Sequence, residues 1–308
     1  MNKNQIFAII GLLIMTGCAG EKATVTGGTG FIGGTESIKF DFLEGAPPLE
    51  VYDGGTFPFE VSLNLENKGE YDVAASDVKI KLMGFYPADF GSPTIEQNPT
   101  EALGKTYIDS EGNRIPGTVS YLTFTGFNFV GNLVANNEYT IRADMCYKYG
   151  TLAQADLCIL EDLTKSEGKV CKANEAKTVT SSSAPIKVEN FIENIAGADK
   201  ITFSFDIVHR GTGAISKLAT DCSDEIADKN KVHVKIDTGT LGGLTCSGLD
   251  GVTGGTEGDA TLYGGKRLIR CTLPTGTPTA DFEKKVNIEL TYQYKEHKER
   301  KILVKHTV

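Results

Sequence analysis

The stretch FPFEVSLNLEN, residues 57–67, decides the fold of this chain. Five apolar side chains fall on alternate positions: Phe57, Phe59, Val61, Leu63 and Leu65. An alternation with a period of two places one apolar face on one side of a β-strand. The sequence Asn67-Lys68-Gly69 comes next, and we expect a turn in which the glycine adopts positive φ without steric cost. The stretch therefore predicts a half-buried strand that ends in a turn.

The same alternation recurs along the chain, without helical periodicity between the repeats. It is visible in SIKFDFL (37–43), VKIKLMGF (78–85), VSYLTFTGFNF (119–129), EYTIRADMCYKY (138–149) and AQADLCIL (153–160). The acidic turn Asp109–Asn113 lacks the ligand count of a calcium-binding EF-hand loop, so we expect a solvated hairpin tip. Short strands separated by turn-forming residues are typical of an all-β sandwich.

A second copy of the pattern follows a polar segment, residues 161–184, that ends before Pro185. TFSFDI (202–207) matches TFPFEV (56–61), with turn glycines Gly211 and Gly69 beyond them. Further strands are predicted in KVHVKIDTG (231–239), ATLYGGKRLIRCTL (260–273), VNIELTYQY (286–294) and KILVKHTV (301–308), with KEHKER (295–300) as a hairpin tip. We therefore predict two tandem Ig-like β-sandwich domains, residues 36–160 and 185–308, joined by a linker at 161–184.

The chain begins with the layout of a lipoprotein signal peptide. Lys3 precedes an apolar run from Ile6 to Met15, and Thr16-Gly17 precedes Cys18. The run is too short to cross a bilayer as a helix, so residues 1–17 are predicted to be a cleaved export signal and Cys18 the lipid attachment site. An ordinary secretory signal is the alternative. Residues 18–35 contain six glycines and are predicted to be a flexible tether.

Part of that tether, TGGTGFIG (26–33), matches the glycine fingerprint of extended short-chain dehydrogenases. In that family the motif joins a buried strand to a helix and cradles a pyrophosphate. Here a strand-like pattern follows it instead. Tyr294 and Lys298 match the family's Tyr-x-x-x-Lys formally, but they fall in a predicted strand rather than on a helix. We therefore predict no dinucleotide and no other cofactor.

Six cysteines follow Cys18: Cys146, Cys158, Cys171, Cys222, Cys246 and Cys271. An even number in an exported chain indicates disulfides. No CxxC pair and no histidine at ligand spacing supports a zinc site, so no metal is predicted. Six cysteines allow fifteen connectivities. We predict Cys146–Cys158 across a hairpin, Cys246–Cys271 between two strands, and Cys171–Cys222 as a tie between the domains.

Charge restricts the partners. The formal net charge is −9, and removal of residues 1–17 takes away one lysine, which leaves 30 basic against 40 acidic residues. Such a surface is a poor match for the phosphates of nucleic acid. The expected membrane contact is the lipid on the N-terminal cysteine. Surface proteins, or other copies of this chain, remain the expected partners.

The turn Asn67-Lys68-Gly69 between two strands resembles CARDB-type and related Ig-like modules of prokaryotic surface proteins. The segments CYKYGTLAQADLC (146–158) and LTYQY (290–294) are similar to uncharacterised archaeal surface proteins built in the same way. The resemblance covers roughly residues 37–308. It implies a fold and an extracytoplasmic, cell-surface location, and it supplies no catalytic residues.

Catalytic motifs are missing from the sequence. It contains neither a GxSxG elbow nor an HExxH motif, and oxidised cysteines are not nucleophiles. His233 and His209 are predicted to be surface residues, in a strand and at a turn. We predict a non-enzymatic structural or adhesion role at the cell surface. The alternatives are a subunit of an envelope or filament assembly through sheet-edge pairing, and a hydrolase of surface glycans or peptides, with Asp41/Glu44 or Asp221/Asp224 as carboxylate pairs.

Overall fold

The computed structural model describes residues 30–239 and 241–307, which form an almost entirely β structure. The strands are β1 Ile38–Phe42, β2 Glu50–Tyr52, β3 Phe59–Asn67, β4 Val78–Met83, β5 Glu96–Gln97, β6 Tyr107–Ile108, β7 Arg114–Ile115, β8 Val119–Phe127, β9 Asn137–Ile159, β10 Val179–Ser181, β11 Ile186–Ile195, β12 Lys200–His209, β13 Ala214–Ser216, β14 Lys231–Asp237, β15 Thr245–Ser247, β16 Glu257–Thr261, β17 Lys266–Pro274 and β18 Phe282–Lys305. Two short 3-10 helices, Ala75–Asp77 and Pro87–Phe90, interrupt them.

Three sheets form the body of the molecule. The central sheet has the order β16-β14-β18-β9-β4-β5, and β2, β10 and β13 pair onto its long strands. A sheet of order β1-β3-β8 and another of order β11-β12-β17-β15 share one apolar core with it. The alternation in residues 57–67 is confirmed, because Phe59, Val61, Leu63 and Leu65 are all buried on β3. The predicted all-β sandwich fold is therefore confirmed.

The two long strands β9 and β18 hold both halves of the molecule together. They pair antiparallel without a bulge from Phe282 opposite Ile159 to Val304 opposite Asn137. Lys148 lies opposite Gln293 at the middle of the pair. The strand order of the central sheet is symmetrical about this pair, with β14 and β16 on one side and β4 and β5 on the other.

This arrangement differs from two separate sandwiches joined by a linker at 161–184. Each long strand contributes to both halves, and β10, inside the expected linker, pairs with β9. The segments 138–149 and 153–160, predicted as two strands of a hairpin, form one strand, because Gly150 continues the ladder. Likewise KEHKER (295–300) lies in the middle of β18 and is not a hairpin tip. The hairpin tip predicted at Asp109–Asn113 does join β6 to β7.

The described residues form three disulfides, which confirm one of the three predicted pairings. Cys246 lies directly opposite Cys271 on β15 and β17, with a bond between them. The other two bonds are Cys146–Cys222 and Cys158–Cys171. The predicted Cys146–Cys158 and Cys171–Cys222 pairings are wrong. Cys146 and Cys158 lie on one extended strand, about 40 Å apart at roughly 3.3 Å per residue, far beyond disulfide reach.

Four tyrosines pack at the centre of the long-strand pair: Tyr147 and Tyr149 on β9, and Tyr292 and Tyr294 on β18. The turn glycines lie against two of them. A β-carbon on Gly69 would be 2.0 Å from the Tyr149 hydroxyl, and one on Gly211 would be 2.1 Å from the Tyr294 hydroxyl. Gly69 does not have the positive φ that the sequence predicted. Glycine is required there because the tyrosine leaves no room for a side chain.

The N-terminal segment is held in place from residue 30 onward. The buried Glu70 carboxylate accepts the N–H groups of Ile32 (2.8 Å), Gly33 (2.9 Å) and Ser183 (2.6 Å). The part of the predicted tether that the structure describes, residues 30–35, is thus bound to the sandwich. Residues 1–29, with the predicted signal peptide, Cys18 and the rest of the tether, lie outside the described residues.

Candidate functional site

A groove of about 740 Å³ opens on one side of the molecule between β1 and the middle of β18. Its walls come from β1 and the residues before it, from the loop 210–214, and from residues 294–298 of β18. At one end, the Arg300 guanidinium lies over the Phe42 ring, 5.6 Å from its centroid, and donates to the Phe42 carbonyl at 3.4 Å. This cation–π contact joins β18 to β1 just beyond the residues that line the groove.

The β18 wall presents backbone groups without strand partners. Leu303 donates its N–H to Leu49, and Lys305 accepts the N–H of Asp53, so odd-numbered residues of β18 face away from β9. The unbroken register extends this alternation to residues 297, 299 and 301. β13 pairs with residues 293–295 and β2 with residues 303–305. Between them, no strand in the described chain pairs with this side of residues 296–302.

The β1 wall is also a strand edge. β1 is the outer strand of its sheet and pairs only with β3 among the described strands. Ser37 accepts the Lys68 N–H and Leu43 donates to Ser62, so odd-numbered residues face β3. The N–H and C=O groups of Ile38 and Phe40 therefore face the groove side. The groove thus lies between two unpaired strand edges.

A chain of hydrogen bonds lies at the bottom of the groove. The Ser37 and Tyr147 hydroxyls are 2.8 Å apart, and Tyr147 donates to the Glu296 carboxylate at 3.1 Å. Burial raises the pKa of Tyr147 well above its usual value, so this phenol stays protonated at neutral pH. Burial also raises the pKa of the half-buried Glu296 carboxyl. The chain positions Glu296 at the groove.

Two cations near the groove form no ion pair among the described residues: Lys39 on β1 and Lys298 on β18. The other basic side chains of the lining are neutralised. Arg142 pairs with Asp144, Arg210 with Glu189, and Lys295 with Asp224. Both Lys39 and Lys298 are exposed. Two carboxylates of the lining, Glu36 and Glu296, are likewise without a salt bridge among the described residues, and the Lys298 charge acts on Glu296. The groove therefore carries charge of both signs, with a lysine exposed on each wall.

Three of the four residues that the sequence offered as hydrolase candidates have other partners in the structure. Asp41 accepts the N–H of Phe42, Asp221 pairs with Lys79 at 3.0 Å, and Asp224 pairs with Lys295. Only Asp224 lines the groove. Across residues 30–239 and 241–307, no three histidine, cysteine or acidic side chains are arranged to hold a metal ion.

The histidines differ from one another. His233 is partly exposed, between Asp259 (3.1 Å) and Glu257 (3.2 Å). His209 is half-buried, 3.3 Å from the Tyr294 hydroxyl, and burial lowers its pKa. The prediction that His209 lies at the surface is therefore wrong, because the turn after β12 folds against Tyr294.

Sequence reasoning missed the groove itself. Its residues belong to segments predicted as a strand start, Glu36 to Phe40, and as a hairpin tip, Glu296 to Arg300. One signal was present: KEHKER concentrates charge in an otherwise alternating strand, as edge strands commonly do. That two such segments face each other follows only from the pairing of β18 with β9.

Comparison with known proteins adds little. No family model matches the chain, and no curated protein matches its sequence. Among solved structures, the secreted serine protease VesC from Vibrio cholerae is similar at 9% sequence identity and a TM-score of 0.18. The alignment covers 83% of this chain and 50% of the protease. A TM-score this low carries no argument about fold or activity. Within the described residues, no helix has the length and apolar character to cross a membrane.

Proposed function

We propose that this chain is a lipid-anchored, extracytoplasmic protein with a recognition role at the cell surface, and that the groove is its binding site. The observation that carries the proposal is the pair of unpaired strand edges that bound the groove. Strand edges that the fold leaves open are sites where another polypeptide can pair. The charged residues along β18 keep that edge from associating indiscriminately.

The location has support of its own. Three disulfides indicate an oxidising, extracytoplasmic environment. The sequence preceding Gly30 then offers a lipid attachment at Cys18. Intact-mass spectrometry of the membrane-extracted protein tests the anchor. We expect the mass of diacylglycerol on a chain that starts at Cys18, and loss of membrane retention in Cys18→Ala. An unmodified Cys18 on a processed chain would contradict the anchor.

Site-specific photo-crosslinking in intact cells tests the binding site. A photoreactive amino acid replaces Lys39 in the groove, or Tyr121, which is 61% exposed on β8. We expect a discrete crosslinked species from position 39 and none from position 121. Equal crosslinking at both positions, or none at either, would contradict recognition through the groove.

Two alternatives use the same groove. Assembly through sheet-edge pairing would place a second copy at the open edge, and light scattering would then show concentration-dependent oligomers. A hydrolase is favoured by Glu296, because a carboxyl with a raised pKa can act as a general acid. Hydrolysis of a glycan or peptide panel that disappears in Glu296→Gln would support the enzyme. Absence of turnover would leave recognition as the account of the groove.

A further inference from the structure

We propose that the groove binds an extended acidic segment of another protein, which adds to β18 as a strand alongside residues 297–301. This inference rests on the proposed function, since it specifies the ligand and the binding mode of the same site. Three observations carry it: a strand already occupies the corresponding position in the other half, the open edge is long enough for a strand, and an exposed lysine stands on each wall of the groove.

The first observation comes from β10. This strand pairs with Ala153–Ala155 of β9, and Ser182 extends the pairing by donating its N–H to Leu152. Ala153 lies five residues after Lys148, the middle of β9, and Lys298 lies five residues after Gln293, the middle of β18. The position on β18 that corresponds to the β10 site is thus residues 298–300. No described strand occupies it.

The path of the chain before β1 explains why no described strand occupies the open side of residues 298–300. β10 immediately precedes β11, which is the outer strand of its sheet, as β1 is of its own. The segment that precedes β1 is the corresponding one, but Ile32 and Gly33 are bound to Glu70 instead. That segment lies beside β10 and β11, where Gly33 approaches Ser181. The described chain therefore fills one of two equivalent strand positions.

The second observation is the size of the opening. The unpaired side runs from Glu296 to Ile302, between the pairing of β13 and that of β2. Seven residues of strand span about 23 Å at roughly 3.3 Å each, so a strand of five or six residues fits. His297, Glu299 and Lys301 each present one N–H and one C=O to it. Such main-chain pairing gives affinity with little dependence on sequence.

The third observation is charge. Lys39 and Lys298 are exposed on the opposite walls of the groove and form no salt bridge in the described part of the chain. The Glu296 carboxylate beside Lys298 is half-buried and accepts a hydrogen bond from Tyr147. Carboxylates on one face of an added strand would meet these ammonium groups. Rim charges of this kind steer association and weaken with salt. Acidic residues at alternate positions of the ligand are therefore expected to increase its affinity.

Fluorescence anisotropy with a labelled peptide of three Glu-Val repeats tests the proposal on the purified protein. We expect saturable binding that salt weakens, and weaker binding of the matching Lys-Val peptide. Glu299→Pro removes an N–H from the open side and fills that edge, so affinity should fall at least about tenfold. Glu299→Ala keeps the N–H and removes one carboxylate from the edge, so it should bind the acidic peptide at least as tightly as the wild type does. Lys39→Glu with Lys298→Glu should weaken binding, whereas the exposed Lys235→Glu on β14 should not.

Several results would overturn the proposal. Binding that survives Glu299→Pro would place the peptide elsewhere, and equal binding of the Lys-Val peptide would exclude acidic selectivity. Absence of binding, with dimers by light scattering, would assign the edge to a second copy. These failures are distinct from failure of the recognition function, because crosslinking at position 39 in cells reports a partner in the groove whatever its binding mode.

Discussion

At the scale of single residues, the fold depends on two glycines, Gly69 and Gly211, because a tyrosine side chain packs directly against each of them. Besides the Tyr149 hydroxyl, a β-carbon on Gly69 would approach the Glu36 carbonyl oxygen at 2.4 Å. Gly211→Ala would meet the Tyr294 hydroxyl and the Pro185 ring. We expect each alanine variant to lose about 2 kcal/mol or more of unfolding free energy by overpacking. Gly242→Ala, which has open space around it, is the control and should be neutral in the same denaturant titration.

Asp53 shows how a single carboxylate secures the end of β18. Its oxygens accept bonds from the Thr307 hydroxyl (2.5 Å), the His306 ring (3.0 Å), and the N–H groups of Leu133 and Thr307 (2.9 Å each). The bond from the Thr307 hydroxyl, followed by that from His306, lowers the pKa of Asp53 below its usual 3.8. A lowered pKa stabilises the fold above the unfolded-state value, and this contribution is lost as pH falls.

We therefore expect Asp53→Asn to lower the melting temperature at pH 7. The difference from wild type should narrow as pH falls below 3.8, where the wild-type carboxylate starts to lose its advantage. Thermal melts of both proteins between pH 7 and pH 2 measure this difference in melting temperature. Asp89→Asn, at an exposed aspartate without these bonds, serves as the control. A difference that stays constant across the range would contradict the role of the ionised Asp53.

Single residues also show how far sequence reasoning reaches. Alternation identified the buried side chains of β3, because burial on one face repeats every two residues. Turn residues located Gly69 and Gly211 at turns, but the positive φ predicted for Gly69 was wrong. The close approach of a tyrosine from a strand about 80 residues away leaves no trace in the local sequence. The Ser37–Tyr147–Glu296 chain was missed for the same reason.

At the scale of elements, β18 is the strand that sequence reasoning misjudged. Six mostly charged residues, 295–300, normally indicate a turn, whereas here they continue a strand paired with β9 on one side and open on the other. Charge is tolerated because residues 297–299 are exposed, and because the half-buried Lys295, Glu296 and Arg300 each have a polar partner. The same misjudgement at Gly150 led to the wrong Cys146–Cys158 pairing, since a hairpin would have brought two distant sulfurs together.

Proline substitutions distinguish the two sides of β18. By the alternation of the ladder, the Lys298 N–H faces β9 opposite the buried Ala143, whereas the Glu299 N–H faces the open side. Lys298→Pro should therefore destabilise the protein by about 2 kcal/mol, because it leaves a buried carbonyl without its donor. Glu299→Pro should lower the free energy of unfolding by much less than Lys298→Pro does. Denaturant titrations measure the free energy of unfolding of both variants. Equal decreases in the two variants would contradict the open edge.

At the scale of the whole molecule, the two halves are expected to unfold together. They share β9, β18 and one apolar core, so neither half is complete without the other. Calorimetry should show one transition whose calorimetric and van't Hoff enthalpies agree. The isolated fragment 36–160 lacks the partner strand of β9 and should not unfold cooperatively. Two transitions, or a cooperatively folded fragment, would favour independent domains.

The overall class was predictable, but the joining of the halves was not. Period-two alternation and turn residues suffice for an all-β sandwich. They do not state which strand pairs with which, because pairing between distant segments depends on long-range contacts. The match of TFSFDI (202–207) to TFPFEV (56–61), with a turn glycine beyond each, indicated two similar halves. Only the pairing of residues 137–159 with 282–305 shows that they form one sheet, and that one edge of it stays open.

Residue-resolved hydrogen exchange tests the central claim, the open edge of β18, most directly. In the free protein, the amides of residues 297, 299 and 301 should exchange fast, while those of 296, 298 and 300 should be protected by β9. Adding the Glu-Val peptide should protect the first set and leave the second unchanged. Protection of residues 297, 299 and 301 without peptide, or no gain in protection at a saturating peptide concentration, would contradict the account.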